Sequence, residues 1–374
     1  MLLLFGGRSA EHDVSRATAV AVAQALDPAK YEIVPVAIST QGRWLVADEA
    51  RRAIEGLVEV PTRFPVEGSP ARGIGELVTG GTGALEPVDG GSAGAARGPF
   101  DVDVVFPLLH GPYGEDGTVQ GLFELADLPY VGSGVVGSAV GMDKIAMKTV
   151  FAGAGVPTPS WRAYRAGHDH DRILHEVEGA LGFPCFVKPA NLGSSVGVSK
   201  AHDEDELAAA WDLAFGFDEW ILVEEAIAGR EIEVAVLGDD PPQASVPGEV
   251  VPGDEFYSYA DKYEADDAEL RVPAPLDERE QADARALAVG AFAACRLESM
   301  ARVDLFYEPT RPDGRPGRGF LVNEVNTIPG FTPISMYPKL WAASGVAYPA
   351  LLDRLIDLAI ARHARRARFA GRQR

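Results

Sequence analysis

Apolar residues in the first part of the chain fall in short unbroken runs, separated by stretches with helical spacing. Met1 to Phe5 is wholly apolar and reads as a buried strand that runs into a Gly6-Gly7 turn. From Glu11 to Leu26, Val14, Ala17, Ala21 and Ala25 recur on one helical face. Tyr31 to Ser39 reads as a second strand. Asp103 to Leu109 is continuously apolar after its first residue, as a strand covered on both faces should be. A loop over Gly111 to Gly117 and a helix over Thr118 to Ala126 follow. Strands alternating with helices predict an open α/β sheet, whose ligand crevice lies beyond the carboxyl ends of its strands. Residues 66 to 99, rich in Gly, Ala, Pro and Ser, predict a long surface loop.

A second region starts near Val136, with a helix over Asp143 to Ala154 and a strand over Phe183 to Lys188. A glycine-rich turn, a helix over Glu204 to Phe215 and a strand over Trp220 to Glu224 complete it. The third region has a strand over Glu231 to Leu237 and a polar segment from Asp254 to Leu270, then a helix over Glu278 to Cys295. Strands over Ser299 to Phe306 and Gly319 to Val325 follow, joined by Glu308 to Arg318, whose Pro and Gly content reads as a hairpin loop. A last helix is expected from about Pro349 to His363, and the Arg-rich stretch from Arg362 to Arg374 as a frayed extension. With 374 residues the chain exceeds one compact core, and the expected division is 1–135, 136–225 and 226–374.

Composition narrows the function. The net charge of −21 argues against nucleic acid as a partner, since phosphate backbones require a basic face. A polyanionic substrate would therefore need a local cluster of cations. No run of about 18 apolar residues is present, so no membrane helix is expected. The opening segment has no basic stretch ahead of its apolar run, which makes the cytoplasm the expected location. The two cysteines, Cys185 and Cys295, sit in apolar surroundings and read as packing residues.

The most informative segment is Phe320-Leu321-Val322-Asn323-Glu324-Val325-Asn326. Alternation along a strand sends Glu324 and Asn326 to one face, and Asn323 and Val325 to the other. Arg302 and Asp304 are likewise two apart on the preceding strand. If the two strands pair, Asp304, Glu324, Asn326 and Arg302 converge. Two carboxylates and an amide oxygen are hard ligands suited to Mg²⁺ beside nucleotide phosphates, and Arg302 can stabilise developing negative charge. The alternative is a solvent-facing salt bridge.

Lys188 ends a strand, and Gly193-Ser194-Ser195-Val196-Gly197 follows. Backbone N–H groups and hydroxyls there can cover phosphate oxygens, with Lys188 as a point charge. No G-x-x-x-x-G-K-[ST] loop occurs, and the same residues also read as a plain turn. Lys144 offers a second phosphate contact or a solvated surface charge. Glu11, at a helix start beyond a strand end, either meets a ligand or simply favours the helix dipole. His110, in His110-Gly111-Pro112-Tyr113-Gly114-Glu115-Asp116-Gly117, either contacts a substrate carboxylate or satisfies a loop.

Taken in order, these segments resemble the D-alanine–D-alanine ligase family. The resemblance is carried by Gly6-Gly7 with Ser9-Ala10-Glu11-His12-Asp13-Val14-Ser15, by Leu109-His110-Gly111 with Gly114-Glu115-Asp116-Gly117, and by Met142-Asp143-Lys144. It continues through Val187-Lys188-Pro189, Gly193-Ser194-Ser195-Val196-Gly197 and Asn323-Glu324-Val325-Asn326-Thr327-Ile328-Pro329-Gly330-Phe331-Thr332. It implies an ATP-grasp fold, in which an N-terminal α/β domain precedes two α+β domains that grip ATP. The implied reaction phosphorylates one D-alanine, and the amine of a second then attacks the acyl phosphate, for peptidoglycan synthesis.

By position, the resemblance implies that Lys144, Lys188, Ser194 and Ser195 hold or cover the phosphates. Backbone groups from Glu224 and Glu225 to Ile227 would hold adenine, and Glu231 the ribose. Asp304, Glu324 and Asn326 would ligate two Mg²⁺, or Mn²⁺, and Lys262 would reach the transferred phosphate. Arg302 and the Gly330 N–H would stabilise the tetrahedral intermediate. Glu11 would hold the first ammonium, and Ser335 with Met336 the second carboxylate. Tyr263 would bridge through Ser194 to Glu11. It also implies a homodimer with no membrane partner. Glu225 departs from a Lys found in some members of the family. The nearest alternative is a D-alanine–D-lactate ligase, which the segment Glu255 to Tyr263 and Met336 disfavour; a non-catalytic nucleotide-binding protein would be expected to have lost metal ligands that are present here.

Overall fold

The computed structural model describes residues 1–46, 50, 102–252 and 269–369. Strand β1 (Leu2–Gly6) is buried along its whole length, as its unbroken apolar run requires. It pairs in parallel with β2 (Val34–Ile38) on one side and with β4 (Val105–Pro107) on the other. The edge strand β3 (Trp44–Val46) is antiparallel to β2, so the sheet is not wholly parallel. Its order is β3-β2-β1-β4. Helix α1 (His12–Ala25) follows β1 after a turn that only glycine permits: Gly6 has φ +89°, and a Cβ there would lie 2.2 Å from the Ile38 carbonyl oxygen.

Helices α2 (Thr118–Leu125), α3 (Val135–Met142) and α4 (Lys144–Ala154) lead out of this sheet. Asp143 caps α4 by accepting from the N–H groups of Ile145 and Ala146. A second sheet, in the order β5-β8-β6-β7, joins β5 (Trp161–Arg165), β8 (Trp220–Glu225), β6 (Cys185–Pro189) and β7 (Ser199–Ala201). Helices α5 (His170–Ala180) and α6 (Glu204–Phe215) cover it, burying Ile173, Val177, Leu207 and Trp211 with Val187, Ile221 and Val223.

The third sheet runs β12-β11-β9-β13-β14. It contains β9 (Arg230–Leu237), β11 (Gly248–Val251), β12 (Glu269–Arg271), β13 (Met300–Thr310) and β14 (Pro316–Asn326), with β10 (Gln243–Ala244) on β9. Helix α7 (Glu278–Ala294) opens with a reciprocal capping box between Asp277 and Glu280. It buries Ala284, Ala288, Ala291 and Phe292 against this sheet, together with Met147 and Phe151 of α4. Helices α8 (Met336–Ala343) and α9 (Tyr348–Arg366) return to the first sheet. Leu351, Leu352, Leu355 and Ile356 of α9 share a core with Leu3, Phe5 and Phe106.

Two expectations are corrected. The connection from Glu308 to Arg318 is mostly ladder and not loop: Glu308 pairs with Gly319 and Thr310 with Pro316, leaving a turn only over 311–315. Polar side chains suggest a loop, but here they pair with one another across the ladder, Arg318 donating to the buried Glu308 at 2.8 Å, so polarity does not prevent backbone pairing. The start of the Arg-rich tail is docked, not frayed. Arg362 is buried and donates to the carbonyl oxygens of Gly132 and Tyr130, the latter at 2.7 Å, with its guanidinium 4.6 Å from the centre of the Tyr130 ring. Arg366 bonds Glu124 at 2.9 Å and Glu298 at 2.6 Å. The segments 66–99 and most of 254–270, with Lys262 and Tyr263, lie outside the described residues.

Candidate active site

A cleft of about 380 Å³ opens between the second and third sheets. On its third-sheet wall, β13 and β14 pair so that Arg302 faces Asn326 and Asp304 faces Glu324. The four groups expected to converge therefore do so. Arg302 grips Asp304 with both branches of its fork at 2.7 Å, and its Nε lies 3.2 Å from Glu233 on β9. Burial works against the charge on Arg302, but Asp304 and Glu233 outweigh it and hold the guanidinium ionised. Asn326 donates its amide to Asp304 at 2.9 Å, which places its amide group at the carboxylate pair.

Strict alternation would turn Asn323 away from this wall. Instead the ladder slips between Asp304 and Leu305, and Val322 rather than Asn323 pairs with Leu305. Asn323 and Glu324 both line the cleft, and the Asn323 amide oxygen accepts from Lys188 at 3.2 Å.

On the opposite wall Lys188 also meets Glu224 at 3.1 Å. Glu224 is buried. Burial alone would raise its pKa, but Lys148 and Lys188 hold the carboxyl below its usual range. Lys144 donates to the Leu192 carbonyl at 2.5 Å and lies 3.9 Å from Glu324, so it stands between the glycine-rich loop and the carboxylate pair. Ser194 and Ser195 take positive φ values of 52° and 58°, which costs non-glycine residues about 1–3 kcal/mol each. That conformation brings the Ser194 hydroxyl to Glu11, to which it donates a short hydrogen bond. Glu231 and Ile227 line the same cleft. Glu225 touches the cleft but commits its carboxylate elsewhere, to the Ser160 N–H at 2.6 Å and Arg318 at 2.7 Å.

Glu11 and His110 lie beyond the carboxyl ends of β1 and β4, where the open sheet predicts a crevice. His110 is buried, with Nδ1 on the Ile328 carbonyl oxygen at 3.0 Å. Burial lowers its pKa against the pull of Glu11, so the ring is neutral near pH 7. Glu115 accepts from the Gly111 N–H at 2.8 Å and the Ile328 N–H at 3.0 Å, clamping the two loops together. Gly330 lies against Ser335: a Cβ there would meet the Ser335 hydroxyl at 3.1 Å. Ser335 precedes α8 and pairs with the Thr332 hydroxyl at 2.8 Å. Met336 is a core residue, which leaves only its backbone at the helix start for a ligand.

Three contributors escaped the sequence reading. Lys148 is four residues after Lys144, hence on the same helix face. Glu233 is two after Glu231, hence on the same strand face. Glu115 sits in the glycine-rich loop after His110 without a distinguishing neighbour. Among the described residues no cluster of three or more His, Cys, Asp or Glu side chains suits a metal. The hard donors present are two carboxylates and one amide, a partial set of the kind that phosphate oxygens complete for Mg²⁺. No helix among the described residues is long and apolar enough to cross a membrane.

Comparison with known proteins places this cleft in context. Residues 1–133 match the family model for the D-ala D-ala ligase N-terminus, and 150–357 the model for the D-ala D-ala ligase C-terminus. The chain is 44% identical over 364 residues to the D-alanine--D-alanine ligase of Geobacillus kaustophilus (strain HTA426), covering 96% of this chain and 94% of the relative. Among solved structures, the D-alanine-D-alanine ligase from Coxiella burnetii superposes with a TM-score of 0.77 at 36% identity, covering 98% of this chain and 94% of that one. The VanG D-Ala:D-Ser ligase from Enterococcus faecalis also gives 0.77, at 33% identity, covering 96% of this chain and 98% of that one.

Proposed function

The chain belongs to the D-alanine–D-alanine ligase family, and accordingly we propose that its cleft joins two D-alanine molecules at the expense of ATP. The enzyme is a carbon–nitrogen ligase with an ATP-grasp fold. It makes D-alanyl-D-alanine, ADP and phosphate through an acyl phosphate, for peptidoglycan precursors. The observation that carries this reading is the opposition of Asp304 and Glu324 beside Arg302, facing Lys188 and Lys144 across one cleft. A carboxylate is a poor electrophile until phosphorylated, and phosphoryl transfer needs charge neutralisation and alignment more than an acid–base pair.

Lys144 and Lys188 hold the nucleotide phosphates, and the loop with Ser194 and Ser195 closes over them. Backbone groups near Glu224 to Ile227 bind adenine; the N–H groups of Glu225 and Ala226 already bond Ser160 and Pro184, which leaves the strand end at Ile227 for this. Glu231 takes the ribose. Asp304, Glu324 and Asn326 are the residues that would hold Mg²⁺, with the Asn326 amide turned to present oxygen. The metal, when bound, neutralises phosphate charge. Glu11 takes the ammonium of the first D-alanine, and the start of α8 at Ser335 and Met336 takes the carboxylate of the second. Arg302 and the Gly330 N–H face the negative charge that develops when the amine attacks. In this reading Lys262 reaches the transferred phosphate and Tyr263 bridges through Ser194 to Glu11; both lie outside the described residues. The domain division near residues 135 and 225, a homodimeric assembly and a cytoplasmic location belong to the same reading.

The test is phosphate release from ATP with Mg²⁺, given D-alanine alone, L-alanine alone, or D-alanine with D-lactate, with product masses. Release that requires D-alanine, with the mass of D-alanyl-D-alanine, is the expected result. A D-alanyl-D-lactate product would redirect the assignment to a depsipeptide ligase.

A further inference from the structure

Lys148 lies one helical turn beyond Lys144 on α4 and is sealed from solvent, with 1% of its side chain exposed. An ammonium has three N–H donors, and here three acceptors surround it. They are the Thr158 hydroxyl at 2.9 Å, Glu224 Oε1 at 3.0 Å and the Asn323 carbonyl oxygen at 3.2 Å. Lys188 meets two of the same residues from the cleft side, at Glu224 Oε2 and at the Asn323 amide oxygen. Both groups that hold Lys188 are thus themselves held by Lys148.

We propose that Lys148 is a positioning residue for ATP: without reaching the cleft, it fixes Glu224 and Asn323, and through them sets where the Lys188 ammonium stands. The inference rests on the reading of Lys188 as a phosphate ligand. A lysine ammonium on a four-carbon stem has no preferred position of its own and stands where its acceptors stand. Glu224 is a buried carboxylate between two ammoniums; with one removed, the other draws the carboxylate toward itself. Asn323 lies where the β13–β14 ladder slips, so regular strand pairing does not fix it. The lysine bond to its carbonyl supplies a restraint at that point. Lys148 therefore ties α4, β8 and β14, the three elements that carry Lys144, Glu224 and Glu324, to one buried charge.

The test measures kcat and KM for ATP, at saturating D-alanine, in the full chain carrying Lys148→Met, Thr158→Val or Lys188→Ala. Partners that orient metal ligands typically affect affinity or activity by about 10- to 100-fold; by analogy, Lys148→Met is expected to raise the ATP KM about ten-fold or more. Its kcat and its KM for D-alanine should move far less. Thr158→Val removes an acceptor that touches neither Glu224 nor Lys188. It is expected to lower the melting temperature while keeping the ATP KM near wild type. Equal ATP KM values in Lys148→Met and Thr158→Val would overturn the proposal. If Lys188→Ala raises the ATP KM and Lys148→Met does not, the proposal alone falls; if Lys188→Ala leaves it unchanged, the underlying reading of Lys188 falls instead. Should Lys148→Met not fold, Lys148→Gln is measured in the same way, and a wild-type ATP KM in that variant overturns the proposal.

Discussion

Asp304 and Glu324 stand directly opposite each other on paired antiparallel strands, both facing the cleft. Like charges so placed repel; Arg302 and Asn326 bond Asp304, and Lys144 lies 3.9 Å from Glu324. A pair kept at that cost is suited to a cation.

Glu324→Gln keeps the shape and removes one carboxylate of the pair. Ligation is expected to fall by about 10²–10³-fold, the size of losing one preorganised electrostatic contact. The fold should persist, because repulsion with Asp304 is relieved. Phosphate release with Mg²⁺ and D-alanine, beside a thermal melt, checks both; normal turnover would remove the metal assignment.

Arg302→Lys keeps the charge but not the fork that grips Asp304 at two points. The expectation is a large drop in kcat with a smaller change in the KM for ATP. Steady-state kinetics separate the two, and a variant with wild-type kcat would show that Arg302 is only a structural partner of Asp304 and Glu233.

Glu115 links pH to stability. Burial and the charge of Glu11 push its pKa to about 8, against the two N–H groups it accepts. A carboxyl raised above its unfolded value favours the folded state most at low pH, and that contribution is lost as pH climbs through about 8. Between about pH 5 and 8 the wild type should therefore lose more stability than Glu115→Gln does. Melting temperatures of both across that range provide the measurement, and parallel curves would refute the link.

Arg362→Ala leaves the Tyr130 and Gly132 carbonyls and part of Glu298 without their buried donor. Breaking such a buried arrangement costs about 3–5 kcal/mol. Urea unfolding should show the loss, while ligation at low temperature stays close to wild type, because Arg362 is not among the residues that line the cleft. An unchanged unfolding midpoint would return this segment to a frayed tail.

The order of elements was legible in the sequence because burial is periodic. The run Leu2–Phe5, the existence of α7 and the shared strand faces of Arg302 with Asp304 and of Glu324 with Asn326 follow from apolar spacing and strand alternation, whereas the pairing of those two strands was a condition that the structure supplied. Lys144, Lys188, Ser194, Ser195, Asp304 and Glu324, which line the cleft, were legible too, as part of an ordered set of motifs that resembles one family. What only the tertiary structure decided are relationships between segments far apart in the chain. The slip at Asn323 turns two successive side chains to one wall, and no alternation rule contains it. Lys148 becomes a buried charge only because Thr158, Glu224 and Asn323 arrive from three different elements. Arg362 reads as solvated tail until Tyr130 and Gly132 present their carbonyls. Local sequence fixes the direction in which a side chain points, whereas its partner is set by packing between distant elements, and electrostatics and hydrogen bonding depend on the partner.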